Sequence, residues 1–329
     1  MKRLLYLTLA IMLIASFTLV AVPQAAAQVS PTTVYVDDDY CEGCANDGHT
    51  WGYDAFDNIQ DAITVVSSGG TIRVAAGTYY PPQTIYWDDD LKIIGAGEGK
   101  SIIDGSEIEA GYPYYYPVAS TGNEGTEIDG SNQGSDFLPL MGSVIYATGI
   151  DSSSKLDGFT IRNGTAFFGG GVSLDGASPT ISNCTFYNNT AAIGGGLCNM
   201  AGTPKITNCT FKQNHNENME FYYLYGDGVG GGIYDASNAT ITNCVFSGNT
   251  AGAGGGICGS NSTITNCTFM DNQASGYSPY YYYYYYYYPY PSYYPDYTFY
   301  GGGLAYGPST VVTNCIFWGN SPNQIEYIG

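Results

Sequence analysis

A cysteine, a phenylalanine and a run of three glycines return in fixed order through the second half of the chain. No other feature constrains the fold as tightly. The segments read "TISNCTFYNNTAAIGGGLC", "KITNCTFKQN", "GGGIYDASNATITNCVFSGNTAGAGGGIC", "TITNCTFMDN" and "GGGLAYGPSTVVTNCIFWGN". The cysteines are Cys184, Cys209, Cys244, Cys267 and Cys315, and glycine triplets stand at 169–171, 194–196, 230–232, 254–256 and 301–303. "LDGFTIRNGTAFFGGGV" fits the same frame with Phe159 in the cysteine slot, 25 residues before Cys184. A unit of 23 to 25 residues is too short for a helix pair. Its apolar and polar residues alternate over short pieces with Asn and Gly at corners, which means strands and tight turns. Three short strands per unit, each pairing with its counterpart about 4.8 Å along the axis, make a parallel β-helix. Ile181, Cys184 and Phe186, with their equivalents, are expected to face inward. One coil cannot bury its apolar side alone, so the stack must fold as a cooperative array.

The first half fits the same architecture. "TTVYVDDD" reads as a first strand, and "GTIRVAAGTY", "LKIIGAG", "SIIDG" and "SVIYATG" supply the next ones. "DAFDNIQDAITVVSSGG" reads as a short helix with Ile59, Ala62, Ile63 and Val66 on one face. Aspartates near its start suit a helix N-terminus, and Gly69-Gly70 stops it. Such a helix would cover the open end of the first coil and block edge-to-edge pairing. At the other end "SPNQIEYIG" shows no comparable cap. It either folds across the last coil or leaves that coil to a partner, self-association included.

The pairing of "GGGV", "GGGL" and "GGGI" with "FYNN", "FKQN", "FSGN", "FMDN" and "FWGN" resembles the repeats of chlamydial polymorphic outer-membrane proteins. More broadly, the chain resembles the right-handed parallel β-helix proteins of the pectin-lyase-like superfamily. The resemblance is strong over residues 156–329 and present in outline over residues 30–155. It implies an all-β chain, a right-handed parallel β-helix (solenoid) with a short N-terminal capping helix. It says little of function, because the fold hosts both enzymes and adhesins.

Lys2 and Arg3 precede an apolar stretch from Leu4 to Val22, and Ala25-Ala26-Ala27 offers a small-residue cleavage site before Gln28. Residues 1–27 therefore read as a signal peptide, and residues 28–329 as a single domain that is secreted, extracellular or held on the cell surface. No second long apolar run follows, so no membrane span is expected after cleavage. The chain carries a formal net charge of -20, and losing Lys2 and Arg3 makes it more acidic. Such a charge repels nucleic acid and any polyanion not bridged by cations.

The distance from Phe-x-x-Asn to the next glycine triplet varies. It is lengthened at about 215–229 and again at about 274–300, and an insert at about 106–142 occupies the matching corner of an earlier coil. By coil counting the inserts sit on corners 0, 3 and 5, roughly 14 and 10 Å apart along the axis. They hold 22 of the 34 tyrosines: 4 in the first, 3 in the second and 15 in the third, including the unbroken run Tyr280 to Tyr288. Inserts confined to one edge of a repeat protein often mark its working face. A phenol ring joins a flat apolar surface to a hydroxyl at low entropic cost, which suits sugar rings and protein surfaces. Tyr114, Tyr115, Tyr222, Tyr223, Tyr280, Tyr284, Tyr290 and Tyr293 are the candidate contacts, with a polysaccharide or a surface protein as partner. Neutral expansion of a tolerant loop and oxidative tyrosine cross-linking remain alternatives.

Other constellations are weaker. The inward cysteines should be free thiols, since a disulfide needs Cβ atoms about 3.8 Å apart, closer than the coil spacing. Cys198 and Cys258 lie two coils apart with Tyr234 between them and should not pair. Cys41 and Cys44, in the polar loop "CEGCANDGH", suit a local disulfide, or a metal site with His49 that lacks a fourth ligand. Asn183, Asn208, Asn243, Asn266 and Asn314 suit left-handed corners with stacked amides, although Asn163, Asn183, Asn188, Asn208, Asn238, Asn261 and Asn266 also read as glycosylation sequons. Asp37–Asp39 or Asp88, Asp89 and Asp90 could hold Ca²⁺ through oxygen ligands, or be solvated turn acids. No other cofactor is implied. The resemblance raises polysaccharide lyase or glycosidase chemistry, yet no cation sits in a lyase-type motif and neither His49 nor His215 lies in a Gly-His-Gly segment. Asp175, Asp227 and Asp235 are the carboxyls nearest the inserts, and no catalytic set is assigned.

Overall fold

A computed structural model describes residues 29–108, 142–216, 228–275 and 301–328. Each full repeat makes four strands, not three. The coil after Pro179 runs through Thr180–Ser182, Thr185–Tyr187, Thr190–Ile193 and Leu197–Asn199. Each strand pairs in parallel with its equivalent in the next coil. The result is four sheets, numbered here in chain order within a coil: sheet 1 with ten strands, sheet 2 with eight, sheet 3 with five and sheet 4 with eight. The fold is a right-handed parallel β-helix over the unit Pro31–Gly329. The proposed signal peptide lies outside the described residues. Sheet 3 escapes the sequence pattern because its inward residues are Ala166, Ala191 and Ala251. Alanines do not stand out from polar neighbours as Ile or Phe does.

The inward positions are as the repeat requires. Ile181, Ile206, Ile241 and Ile264 form one fully buried column on sheet 1. Phe186, Phe211, Phe246, Phe269 and Phe317 form another on sheet 2, with successive ring centroids 4.4 to 5.0 Å apart and planes within 8° of parallel. The first four are fully buried, and burying each of those rings contributes roughly 1.5–3 kcal/mol. Phe159 aligns with Cys184, one residue ahead of the Thr160–Thr185 pair. The ladder cysteines are free, and each thiol donates to the carbonyl two residues earlier, as Cys184 does to Ser182 at 3.2 Å.

A second column was hidden inside Phe-x-x-Asn. Asn189, Asn214, Asn249, Asn272 and Asn320 are buried. The Nδ2 of Asn214 donates to the Phe186 carbonyl and to Oδ1 of Asn249, both at 3.0 Å, and its own Oδ1 accepts from the backbone and side chain of Asn189. Each amide therefore stitches three coils, and no buried polar atom in the column is left unmet. Gly164 opens the ladder by donating to Asn189. Gln324 closes it, its Oε1 accepting from Nδ2 of Asn320 at 2.8 Å. The outer corner asparagines do adopt left-handed backbone, with φ of 51° to 55° at Asn183, Asn208, Asn243, Asn266 and Asn314.

The two ends differ. The helix Ile59–Val65 buries Ile59, Ala62 and Ile63 against the first strands. Its N-cap is Asn58, whose side chain accepts from the Asp61 amide, and Asp61 supplies the acidic residue expected in the first turn. At the far end, Asn323–Tyr327 does not fold across the last coil. It pairs with Gly301–Tyr306 and extends the wall of sheet 4. Val311–Thr313, Ile316–Trp318 and Asn323–Tyr327 are the last strands of their sheets.

Candidate functional site

In the later coils a glycine triplet leads the chain into sheet 4. After sheet 2 the chain turns through a left-handed Asn188, runs along sheet 3, then reverses through Gly194–Gly196 into sheet 4. Gly194 has φ +70°, and a Cβ there would strike the Leu197 carbonyl. A Cβ on Gly196 would lie 2.6 Å from the Gly232 carbonyl and 3.0 Å from the Phe211 ring. Only glycine lets adjacent coils close so tightly.

The roots of all three inserts lie on this one side. The first leaves after Ser101–Asp104 and the short turn Gly105–Glu107, and returns into Ile145–Thr148. The second separates His215–Asn216 from Ile233–Asp235, and the third separates Gln273–Ala274 from Gly301–Tyr306. Strand pairing along sheet 2 puts their roots on corners 0, 3 and 5. The candidate residues Tyr114, Tyr115, Tyr222, Tyr223, Tyr280, Tyr284, Tyr290 and Tyr293 lie outside the described residues.

Beside the roots runs the outward row of sheet 4: Tyr86, Tyr146, Ser173, Cys198, Tyr234, Cys258 and Ala305. Tyr86 and Tyr146 meet edge to face at 6.0 Å, and the Tyr146 hydroxyl donates to Asp175. Further along, Cys258 and Ala305 pack with Ala253, Val229, Tyr234 and Ile328 in an apolar cluster separate from the main core. Cys198 and Cys258 sit two coils apart with Tyr234 between them, as expected. Burial pushes the Cys258 thiol up to about 12. Burial, then Asp235 and Asp175, push Cys198 up as well. Both stay protonated at neutral pH and are poor nucleophiles.

The carboxylates are engaged by the protein. Asp104, at the root of the first insert, meets Nε of Arg162 at 2.7 Å and accepts from Asn163 and the Ser106 amide. Burial opposes its charge, but the hydrogen bonds from Asn163, Arg162 and Ser106 together hold its pKa below the usual range. Asp235 is buried and accepts from Asn199, Ser262 and the amides of Ser237 and Ala239. Asp175 and Asp235 thus brace tyrosine and backbone, and Asp227 lies outside the described residues. The Arg162–Asp104–Asn163 set was not anticipated, and its members are too far apart in sequence to signal one another.

Asp88, Asp89 and Asp90 are not gathered around a common point. Asp89 accepts from Ser68, and Asp90 from the Asp151 amide and Ser154. Among the described residues, no three His, Cys, Asp or Glu side chains converge as a metal would need. Cys41 and Cys44 are joined in a disulfide, with Cα atoms 5.3 Å apart. His49 is directed elsewhere, stacking on Tyr35 at 3.8 Å and meeting Asp54 at 3.2 Å. Among the described residues, no helix is long and apolar enough to cross a membrane.

A family model described as a right-handed β-helix region matches residues 143–329. No curated protein matches the chain.

Proposed function

The chain belongs to the right-handed β-helix family, and from that premise we propose that it is an exported, cell-surface or extracellular protein that binds a glycan or a protein through its tyrosine-rich inserts. The observation that carries this reading is positional. Three inserts at separate points in the sequence have their roots on one side of the solenoid, between sheets 2 and 4. Those inserts hold 22 of the 34 tyrosines. A solenoid that anchors tyrosine-rich inserts at fixed intervals along one side suits an extended ligand, because many weak contacts add without a large ordering cost in the scaffold. The resemblance of the repeats to pectin-lyase-like proteins and to polymorphic outer-membrane proteins is compatible with this reading, but it does not choose between binding and catalysis.

The test is deletion of residues 277–299. The mature protein and the variant are compared on a panel of neutral and acidic polysaccharides and surface proteins. Loss of binding with an unchanged melting transition is expected. Equal binding by the variant would remove the tyrosine tract from the account. Assaying the same panel for new reducing ends or unsaturated products distinguishes cleavage from binding.

A further inference from the structure

The last coil departs from the rows it extends. Outward positions on sheets 1 and 2 are mostly polar in earlier coils. Thr180, Lys205, Thr240 and Thr263 precede Val311, and Thr185, Thr210, Val245 and Thr268 precede Ile316. Trp318 follows Tyr187, Lys212, Ser247 and Met270. In that last coil Val311 is 54% exposed, Ile316 63% and Trp318 72%. Val312, Cys315 and Phe317, the inward residues of the same coil, are only partly buried. Apolar rim and apolar core end are therefore presented together.

Charge favours contact between two such ends. The chain carries a formal net charge of -20, yet residues 307–328 contain one charged side chain, Glu326. Two copies could meet there without the repulsion that the acidic remainder imposes.

The strand edges differ in how far they are protected. The sheet 4 edge follows Pro322 and shifts register between Gly301 and Leu304. Both features discourage pairing. The sheet 2 edge, Ile316–Trp318, has no proline, lysine or bulge. Head-to-tail stacking is blocked because the other end is covered by the helix Ile59–Val65.

We propose that the mature chain forms a two-fold dimer through its last coil, with Ile316–Trp318 of the two copies pairing antiparallel about Phe317. Pairing about Phe317 places Ile316 of each copy opposite Trp318 of the other and continues the phenylalanine column across the interface. The contact is isologous and closes, so it gives a dimer rather than a fibre. Residues 309–328 amount to about one coil per side, close to the roughly 20–30 residues a stable interface uses. This dimer does not depend on the tyrosine inserts.

The experiment is sedimentation equilibrium on the mature protein between about 1 and about 100 μM. It is run beside a double variant, Ile316→Thr with Trp318→Lys. Both replacements restore side chains that the same rows carry at Thr268 and Lys212, so the fold should tolerate them. The expected result is a dimer for the mature protein and at least a tenfold weaker dimer for the variant, with circular dichroism unchanged. A mature protein that stays monomeric throughout would overturn the proposal. So would a dimer unaffected by the double substitution, or one lost on deleting residues 277–299 and kept by the double variant.

Discussion

The two ends of this solenoid solve the same problem differently. At the N-terminal end, Ile59, Ala62 and Ile63 are folded down onto the first strands by a seven-residue helix, and the core ends under a lid. At the other end the amide column is closed by Gln324, but the phenylalanine column ends at a partly buried Phe317 beside an exposed Trp318. The buried amide column is thus closed at the far end, while apolar surface is covered only at the N-terminal end. In a solenoid whose middle coils are nearly interchangeable, the ends and the inserts are what distinguish one side of the molecule from another.

The largest effect separating middle from end should come from the phenylalanine column. Phe211→Ala opens a cavity between fully packed coils and should cost about 3–5 kcal/mol. Phe317→Ala, at the half-open end, should cost well under half as much in the monomer. Chemical denaturation of both variants below the dimerisation range checks this. Equal losses would mean that the last coil is as enclosed as the third.

Next is the amide column. Asn214→Leu removes the acceptor for the backbone and side chain of Asn189 and should cost about 1–3 kcal/mol for each orphaned group. That column was not legible in the sequence. Asparagine reads as a corner residue, and only the recurrence of Phe-x-x-Asn in every coil hints that the last position has an inward duty. By contrast, Phe159 could be placed in the cysteine slot from spacing alone, since a 25-residue offset leaves no freedom in a stacked array. The capping helix was legible from Ile59, Ala62, Ile63 and Val66, and the aspartates expected near its start include Asp61 in the first turn, while the cap itself, Asn58, was not singled out. Sheet 3 was missed because small Ala191 carries no alternation signal. Of the candidate site, the common side of the insert roots was readable from loop lengths. The Asp104–Arg162–Asn163 set was not, because only the fold joins residues 58 and 59 positions apart.

A smaller effect concerns acid. Asp104 and Asp157 resist protonation in the fold. Burial works against both charges, but hydrogen bonds outweigh it, from Asn163, Arg162 and Ser106 on Asp104 and from Ser182, Asn183 and Lys155 on Asp157. Because their folded pKa values are depressed, the stability they add is present above the unfolded value of about 3.9 and is lost as pH falls through the folded values. The melting temperature should be flat near neutrality and drop below about pH 4. Asp104→Asn should lower the neutral-pH value and shrink that drop. An identical acid profile in the variant would assign the acid loss to other groups.

The smallest effect should be Trp318→Thr. As an exposed edge residue its loss should change monomer stability by no more than about 0.5 kcal/mol, measurable by denaturation at low concentration.

Amide hydrogen exchange resolved strand by strand, on protein dilute enough to be monomeric, tests the contrast between the ends most directly. Slow exchange is expected in Val34 to Val36 and Ile72 to Val74 beneath the helix, and in the middle strands of the phenylalanine column. Fast exchange is expected in Ile316–Trp318. Equal protection at both ends in the dilute monomer would contradict the account, because it would mean that the last coil is already closed.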